Sequence, residues 1–174
     1  KRDGELVSIQ GDRLMPDDSE ALVRELYNMA HRSIDRCLSV GDDDFSLSVT
    51  GLARFRVNAY RQRGSLSAVI RIVSFGIPNW KDMDIPEEVM KIASLSRGMV
   101  LVTGPAGGGK STTLACVVDA VNRSRNAHII TIEDPIEYLH RNQQSIISQR
   151  ELSMDTSSYV TALRASLRQA PDVI

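Results

Sequence analysis

Hydrophobic positions fall into three regimes along the chain. Between residues 17 and 40 they recur at helical spacing: Leu22, Val23, Leu26, Met29 and Ala30 follow the polar cluster Asp17-Asp18-Ser19-Glu20. Asp17 and Glu20 stand three apart, as a capping box requires. Ile34, Cys37 and Leu38 extend the apolar face into a second short helix. From Phe45 to Val73 the period drops to two. Phe45, Leu47 and Val49 alternate with serines; Phe55, Val57 and Ala59 alternate with Arg54, Arg56, Asn58 and Tyr60; Ala68, Ile70 and Ile72 alternate with Val69, Arg71 and Val73. Gly51 and the Arg61–Gly64 turn separate these runs, which predicts an antiparallel meander with one face against the helices. Leu6–Ile9 reads as a further short strand, with a turn at Gln10–Asp12.

Gly76–Pro86 breaks both periods and carries two prolines, Pro78 and Pro86, so it reads as a linker. Beyond it, strand and helix patterns alternate, which indicates an α/β unit. A helix is expected over Glu87–Leu95, with Pro86 at its first turn. An apolar strand, Met99–Val102, comes next, then a helix to about Asn122 and a strand over His128–Ile132. Ser145–Glu151 is a second extended piece. Asp155 or Thr156 can cap a helix bearing Val160, Leu163 and Leu167, which Pro171 ends. Asp172-Val173-Ile174 opens another strand.

Between the Met99 strand and its helix stands Gly104-Pro105-Ala106-Gly107-Gly108-Gly109-Lys110-Ser111-Thr112, the G-x-x-x-x-G-K-S pattern of a phosphate-binding loop in its strand–loop–helix context. Glycines allow the backbone to turn successive N–H groups toward phosphate oxygens, and the positive end of the helix dipole faces the same anion. Lys110 supplies a mobile positive charge for the β- and γ-phosphates, and the Ser111 hydroxyl is placed to ligate Mg²⁺. The pattern points to a nucleoside triphosphate.

Composition narrows the remaining classes. The 174 residues are 42% hydrophobic and 25% charged, as in a soluble globular protein. A net charge of −1 gives no global reason to expect a nucleic-acid partner. No apolar run approaches the roughly 18–20 residues of a bilayer span, and no signal-peptide core follows Lys1-Arg2-Asp3-Gly4-Glu5. Cys37 and Cys116 stand alone in helical segments and show no metal-ligand spacing with His31, His128 or His140, so a reduced cytoplasmic protein without a structural metal is expected.

Two further groups of residues bear on chemistry. Glu133, Asp134 and Glu137 lie at the carboxyl end of the His128 strand, where ligands of parallel α/β sheets sit. Arg54 and Arg56 share one strand face, and Arg71 joins them if the register allows. Such a face is either simply solvated or delivers charge to an anion. The acidic run Asp42–Asp44 reads as a solvated turn. A second magnesium-holding acid, at the end of a further strand, is expected beyond Ile174, so the sequence reads as part of a longer protein.

With these residues assembled, the chain resembles the retraction (PilT-like) motor ATPases of type IV pili, within the secretion-ATPase superfamily. The resemblance rests on Ala53–Ala59, Gly104–Thr113, Ile129–Glu137, Gln149-Arg150-Glu151 and Ala162–Ile174. It implies a PAS-like α+β domain over 1–75, a linker over 76–86 and the first part of a RecA-like P-loop ATPase domain over 87–174. It also implies a cytoplasmic homohexamer at the inner face of the membrane, working with a platform protein of the pilus. ATP and Mg²⁺ are its cofactors. Glu133 matches the acid that polarises the attacking water, and Arg54, Arg56 and Arg71 match arginines that approach the phosphates on domain closure. Ala106 and Gly108 depart from the commoner Thr and Ser, and Ala170 stands where many members carry Asp. A pilus-assembly or type II secretion ATPase and a non-hydrolysing nucleotide-dependent module remain as alternatives.

Overall fold

Alternation of buried and exposed positions accounts for the three-stranded sheet. The computed structural model describes residues 5–9, 11–73 and 76–174. The chain divides into two units, residues up to Leu47 with Arg56–Arg71, and Ser48–Phe55 with Ile72–Ile174. Three strands, β1 (Asp42–Val49), β2 (Ala53–Gln62) and β3 (Ser65–Val73), lie in the order β1-β2-β3. Their two- and three-residue connections allow only antiparallel pairing. On β2 Ala53, Val57 and Ala59 are buried, Phe55 between them is only partly so, and the arginines stand on the other face. The order makes β3 an edge strand, and Ile70 and Ile72, expected against the helices, are largely exposed. Only Leu66 and Val73 of β3 are buried.

In the first unit, helix α1 (Pro16–Met29) begins two residues earlier than the Asp17 cap predicts, with Met15 as its N-cap. Pro16 presets the first helical φ, and the Asp18 carboxylate accepts from the Met15 N–H at 2.9 Å. The buried face is Val23 and Tyr27; Leu22 and Met29 are exposed. A left-handed Gly41 closes α2 (Asp35–Val40), whose Cys37 is fully buried. Tyr27 stacks on Phe45 with centroids 4.6 Å apart.

Asp43 corrects the solvated-turn reading, because it is buried on β1. Its carboxylate accepts from the Tyr27 hydroxyl at 3.1 Å and from Arg32 Nε and Nη2 at 3.1 and 2.9 Å, with Arg36 Nε at 3.4 Å. A buried carboxylate is tolerated when a guanidinium fork and a hydroxyl replace its water. Burial pushes the Tyr27 hydroxyl pKa well up, aided by Cys37 and the Asp43 charge.

In the second unit, a short helix α3 (Glu87–Met90) and a 3-10 turn, Lys91–Ser94, occupy the predicted helical stretch. Helix α4 (Lys110–Ser124) leads to β4 (His128–Glu133), which pairs in parallel with β5 (Ile146–Glu151) from His128↔Ile146 to Glu133↔Glu151. On its other side β4 meets Val173 through one isolated parallel bridge at Ile129, so the strand expected over Asp172–Ile174 is present only as that bridge. Ala93, Val121, Ala127 and Ile129 form a core cluster, with Val118, Ala120, Ile147 and Val173 packed against it.

Three local expectations do not hold. Leu6–Ile9 is not a strand, and Leu6 and Ile9 are exposed. Met99–Val102 forms no ladder among the described residues, with Met99 82% and Leu101 75% exposed. A strand exists only through pairing, and the hydrogen bonds of β4 go to β5 and Val173. Helix α5 (Tyr159–Ser166) is capped by Ser158, whose hydroxyl accepts from Thr161 N–H at 3.1 Å. Asp155 is diverted to the Glu151 N–H at 2.8 Å. The expected turn at Gln10 and the boundary near residue 75 lie outside the described residues. No helix among the described residues is long and apolar enough to cross a membrane.

Candidate nucleotide-binding site

The loop preceding α4 is shaped by its glycines. Gly107 and Gly109 take φ of +76° and +81°, a region unfavourable to residues with a Cβ, and Gly109 is the N-cap of α4. Gly108 closes a turn, its N–H donating to the Pro105 carbonyl at 3.1 Å. A Cβ at Gly108 would lie 3.1 Å from that same oxygen, so glycine fits tightly there. No side chain caps α4. The first N–H groups of a 15-residue helix therefore remain for an anion beside the loop. Lys110 folds back so that its ammonium donates to the Gly104 and Pro105 carbonyls at 3.0 and 2.7 Å.

Ser111 and Glu133 line one cavity of about 680 Å³, together with Asp134, Glu137, His140 and Tyr159. Parallel pairing places Thr131 beside Gln149 and Glu133 beside Glu151. Glu133 Oε1 accepts from Thr131 Oγ1 at 2.6 Å and from Gln149 Nε2 at 3.0 Å. The other amide hydrogen of Gln149 goes to the Tyr138 carbonyl at 2.8 Å, and its oxygen accepts from the His140 N–H at 2.8 Å. The Tyr138 hydroxyl meets Thr112 Oγ1 at 2.9 Å, tying the segment after β4 to the first turn of α4. Further along, the buried Asn122 accepts from Gln143 N–H and donates to the Arg141 carbonyl, which fixes the connection to β5.

The arginines separate. Arg54, which belongs to the second unit, pairs with buried Glu151 at 2.8 Å, and the same carboxylate oxygen accepts the Ile136 N–H. Arg56 lies 4.0 Å from Asp44 in the first unit, and Arg71 is exposed there. Residue patterning missed Gln149, Tyr138 and His140 as members of the site. Polar residues on a strand and in a loop leave no periodic trace, and only the parallel register puts Gln149 beside Thr131.

Burial lowers the His140 pKa, against the opposing pull of the Asp119 and Glu133 charges. The unfolded chain therefore takes up a proton below about pH 6.5 that the folded ring resists, and stability falls as pH drops through that window. Melting the protein at pH 7.5 and 5.5 should show a larger loss for wild type than for His140→Gln, whereas equal losses would show that His140 makes no such contribution. Burial raises the Tyr159 hydroxyl pKa, followed by the Asp134 and Glu133 charges. It also raises that of the Cys116 thiol, with help from Asp119.

Residues 40–174 match the family model described as "Type II/IV secretion system protein". The chain belongs to this family. It is 44% identical over 133 residues to the type IV pilus retraction ATPase PilT of Pseudomonas aeruginosa, a match that takes in 76% of this chain and 39% of that protein. The structure of the pilus retraction motor PilT with bound ADP superposes with a TM-score of 0.86 at 42% identity, over 92% of this chain and 47% of that one. The ATPase DotB of Legionella pneumophila gives a TM-score of 0.66 at 26% identity, over 97% and 48%. The fold is thus that of the secretion ATPases: a P-loop, RecA-like α/β core preceded by a small α+β domain with an antiparallel sheet. The chain spans less than half the length of each of these family members.

Proposed function

We propose that this chain binds ATP with Mg²⁺ and, within the full-length protein, hydrolyses ATP to drive retraction of a type IV pilus. One observation carries the reading: Ser111, which directly follows the loop lysine at the start of α4, and the oriented carboxylate of Glu133 line the same cavity. Gly104–Thr112 offers backbone N–H groups to the phosphates, with Pro105 and Ala106 completing the turn. Lys110 exchanges its two carbonyl partners for phosphate oxygens. Ser111 supplies a hydroxyl ligand for Mg²⁺. When bound, Mg²⁺-ATP supplies the transferable phosphoryl group and neutralises its developing charge. Glu133, whose Oε2 has no hydrogen bond among the described residues, takes up and orients the attacking water.

On this reading residues 1–75 form the PAS-like domain, 76–86 the linker and 87–174 the beginning of the ATPase domain. Six copies form a cytoplasmic ring against the inner face of the membrane, engaged with a platform protein of the pilus. Nucleotide-driven closure brings Arg54, Arg56 or Arg71 to the phosphates, with Arg54 exchanging Glu151 for them. The likeness to the pilus retraction motor PilT, at 42% identity and a TM-score of 0.86, favours pilus retraction. Phosphate release from ATP by the full-length protein beside its Lys110→Ala variant tests the reading; equal rates overturn it.

A further inference from the structure

Catalytic carboxylates work only when held in one orientation, and the hydrogen bonds of Glu133 are unevenly distributed. Both donors, Thr131 Oγ1 and Gln149 Nε2, converge on Oε1. Gln149 is itself held at every polar atom, by Glu133, the Tyr138 carbonyl and the His140 N–H. An amide with both hydrogens and its oxygen engaged cannot rotate without breaking all three bonds. Its position is set twice, by the β4–β5 register beside Thr131 and by the loop that carries Tyr138 and His140. The Tyr138 hydroxyl then reaches Thr112 at 2.9 Å, two residues beyond Lys110.

We infer that Gln149 is a positioning residue for hydrolysis: it pins Oε1 of Glu133 so that Oε2 is the oxygen presented to the water. The inference rests on the proposed role of Glu133 as the acid that orients water. Gln149 does not touch the nucleotide in this scheme. Its bond to the Tyr138 carbonyl links the carboxylate to the segment whose hydroxyl holds the first turn of α4. The phosphate loop and the carboxylate are thereby kept in one frame. Holding a reacting group within a fraction of an ångström matters because a misplacement of about 1 Å can cost about 100-fold in rate.

The test uses the full-length protein with Mg²⁺-ATP, measuring kcat, KM, the affinity for fluorescent ADP and the melting temperature. Gln149→Met removes all three bonds at similar volume. Gln149→Glu keeps the acceptor for His140 and sets a second carboxylate against Glu133 in place of the donors, and the melting temperature shows whether either variant has a folding defect. Both should lower kcat by about 10- to 100-fold and leave KM and ADP affinity within about threefold. Adding Gln149→Met to Glu133→Gln should cost little further, because a positioning residue has nothing left to position. A loss confined to KM, an unchanged kcat, or losses that multiply in the double variant would each overturn the inference. If Glu133→Gln alone hydrolyses at the wild-type rate, the reading of Glu133 fails and takes this inference with it. If Glu133→Gln is inactive while the Gln149 variants turn over normally, only this inference fails.

Discussion

Lys110→Ala in the full-length protein should reduce ATP turnover by about 100- to 1,000-fold, the cost of removing one charge-stabilising group from a water-excluded site. The folded loop should survive the change. Its shape comes from the positive φ of Gly107 and Gly109 and from the Gly108–Pro105 turn, none of which uses the lysine side chain. What disappears is an ammonium that reaches Gly104 and Pro105 at 3.0 and 2.7 Å and can swing to phosphate oxygens. Melting temperature should move little, while phosphate release collapses and affinity for ATP weakens. Release at the wild-type rate would remove the loop from any part in the chemistry.

Glu133→Gln should lower kcat by about 100- to 10,000-fold with ATP binding retained, the range expected for loss of a general base. The amide keeps the size of the carboxylate. Its oxygen can still accept from Thr131 Oγ1 and Gln149 Nε2, so orientation is preserved and only basicity and charge are lost. Steady-state turnover measured with equilibrium titration of a fluorescent ATP analogue separates the two effects. If turnover stays near wild type, the water is activated elsewhere, and Glu133 is then a structural acceptor for its two donors.

Much of this site could be read before any coordinates, for a reason that lies in the loop itself. Gly104 to Thr112 is contiguous, and its geometry follows from glycine conformations and one helix start. The acids after β4 were legible because a parallel strand's carboxyl end is a fixed place in the fold. Gln149 was not legible, since its partners lie on another strand and in a loop and meet it only through the β4–β5 register. The β3 pattern misled because alternation reports which residues share a face, not whether anything covers that face at an edge. Met99–Val102 misled for a related reason: apolar composition favours a strand, but the ladder depends on a neighbouring backbone. Asp43 shows the opposite failure. Three consecutive aspartates look like a solvent-facing turn, yet Arg32 and Tyr27, 11 and 16 residues earlier, make one of them an internal anchor.

The two ends of α4 are built for different amounts of motion. Its last turns carry Val121 and the buried Asn122, clasped between the core cluster and the connection to β5. Its first turn follows an uncapped, exposed glycine loop and is fastened sideways by the hydroxyl pair of Thr112 and Tyr138. Opening that pair frees the loop without disturbing the apolar core, so the free energy of local opening should climb steeply from Lys110 to Ser124. The helix serves as a cantilever, clamped at its far end and compliant where phosphate has to enter and leave.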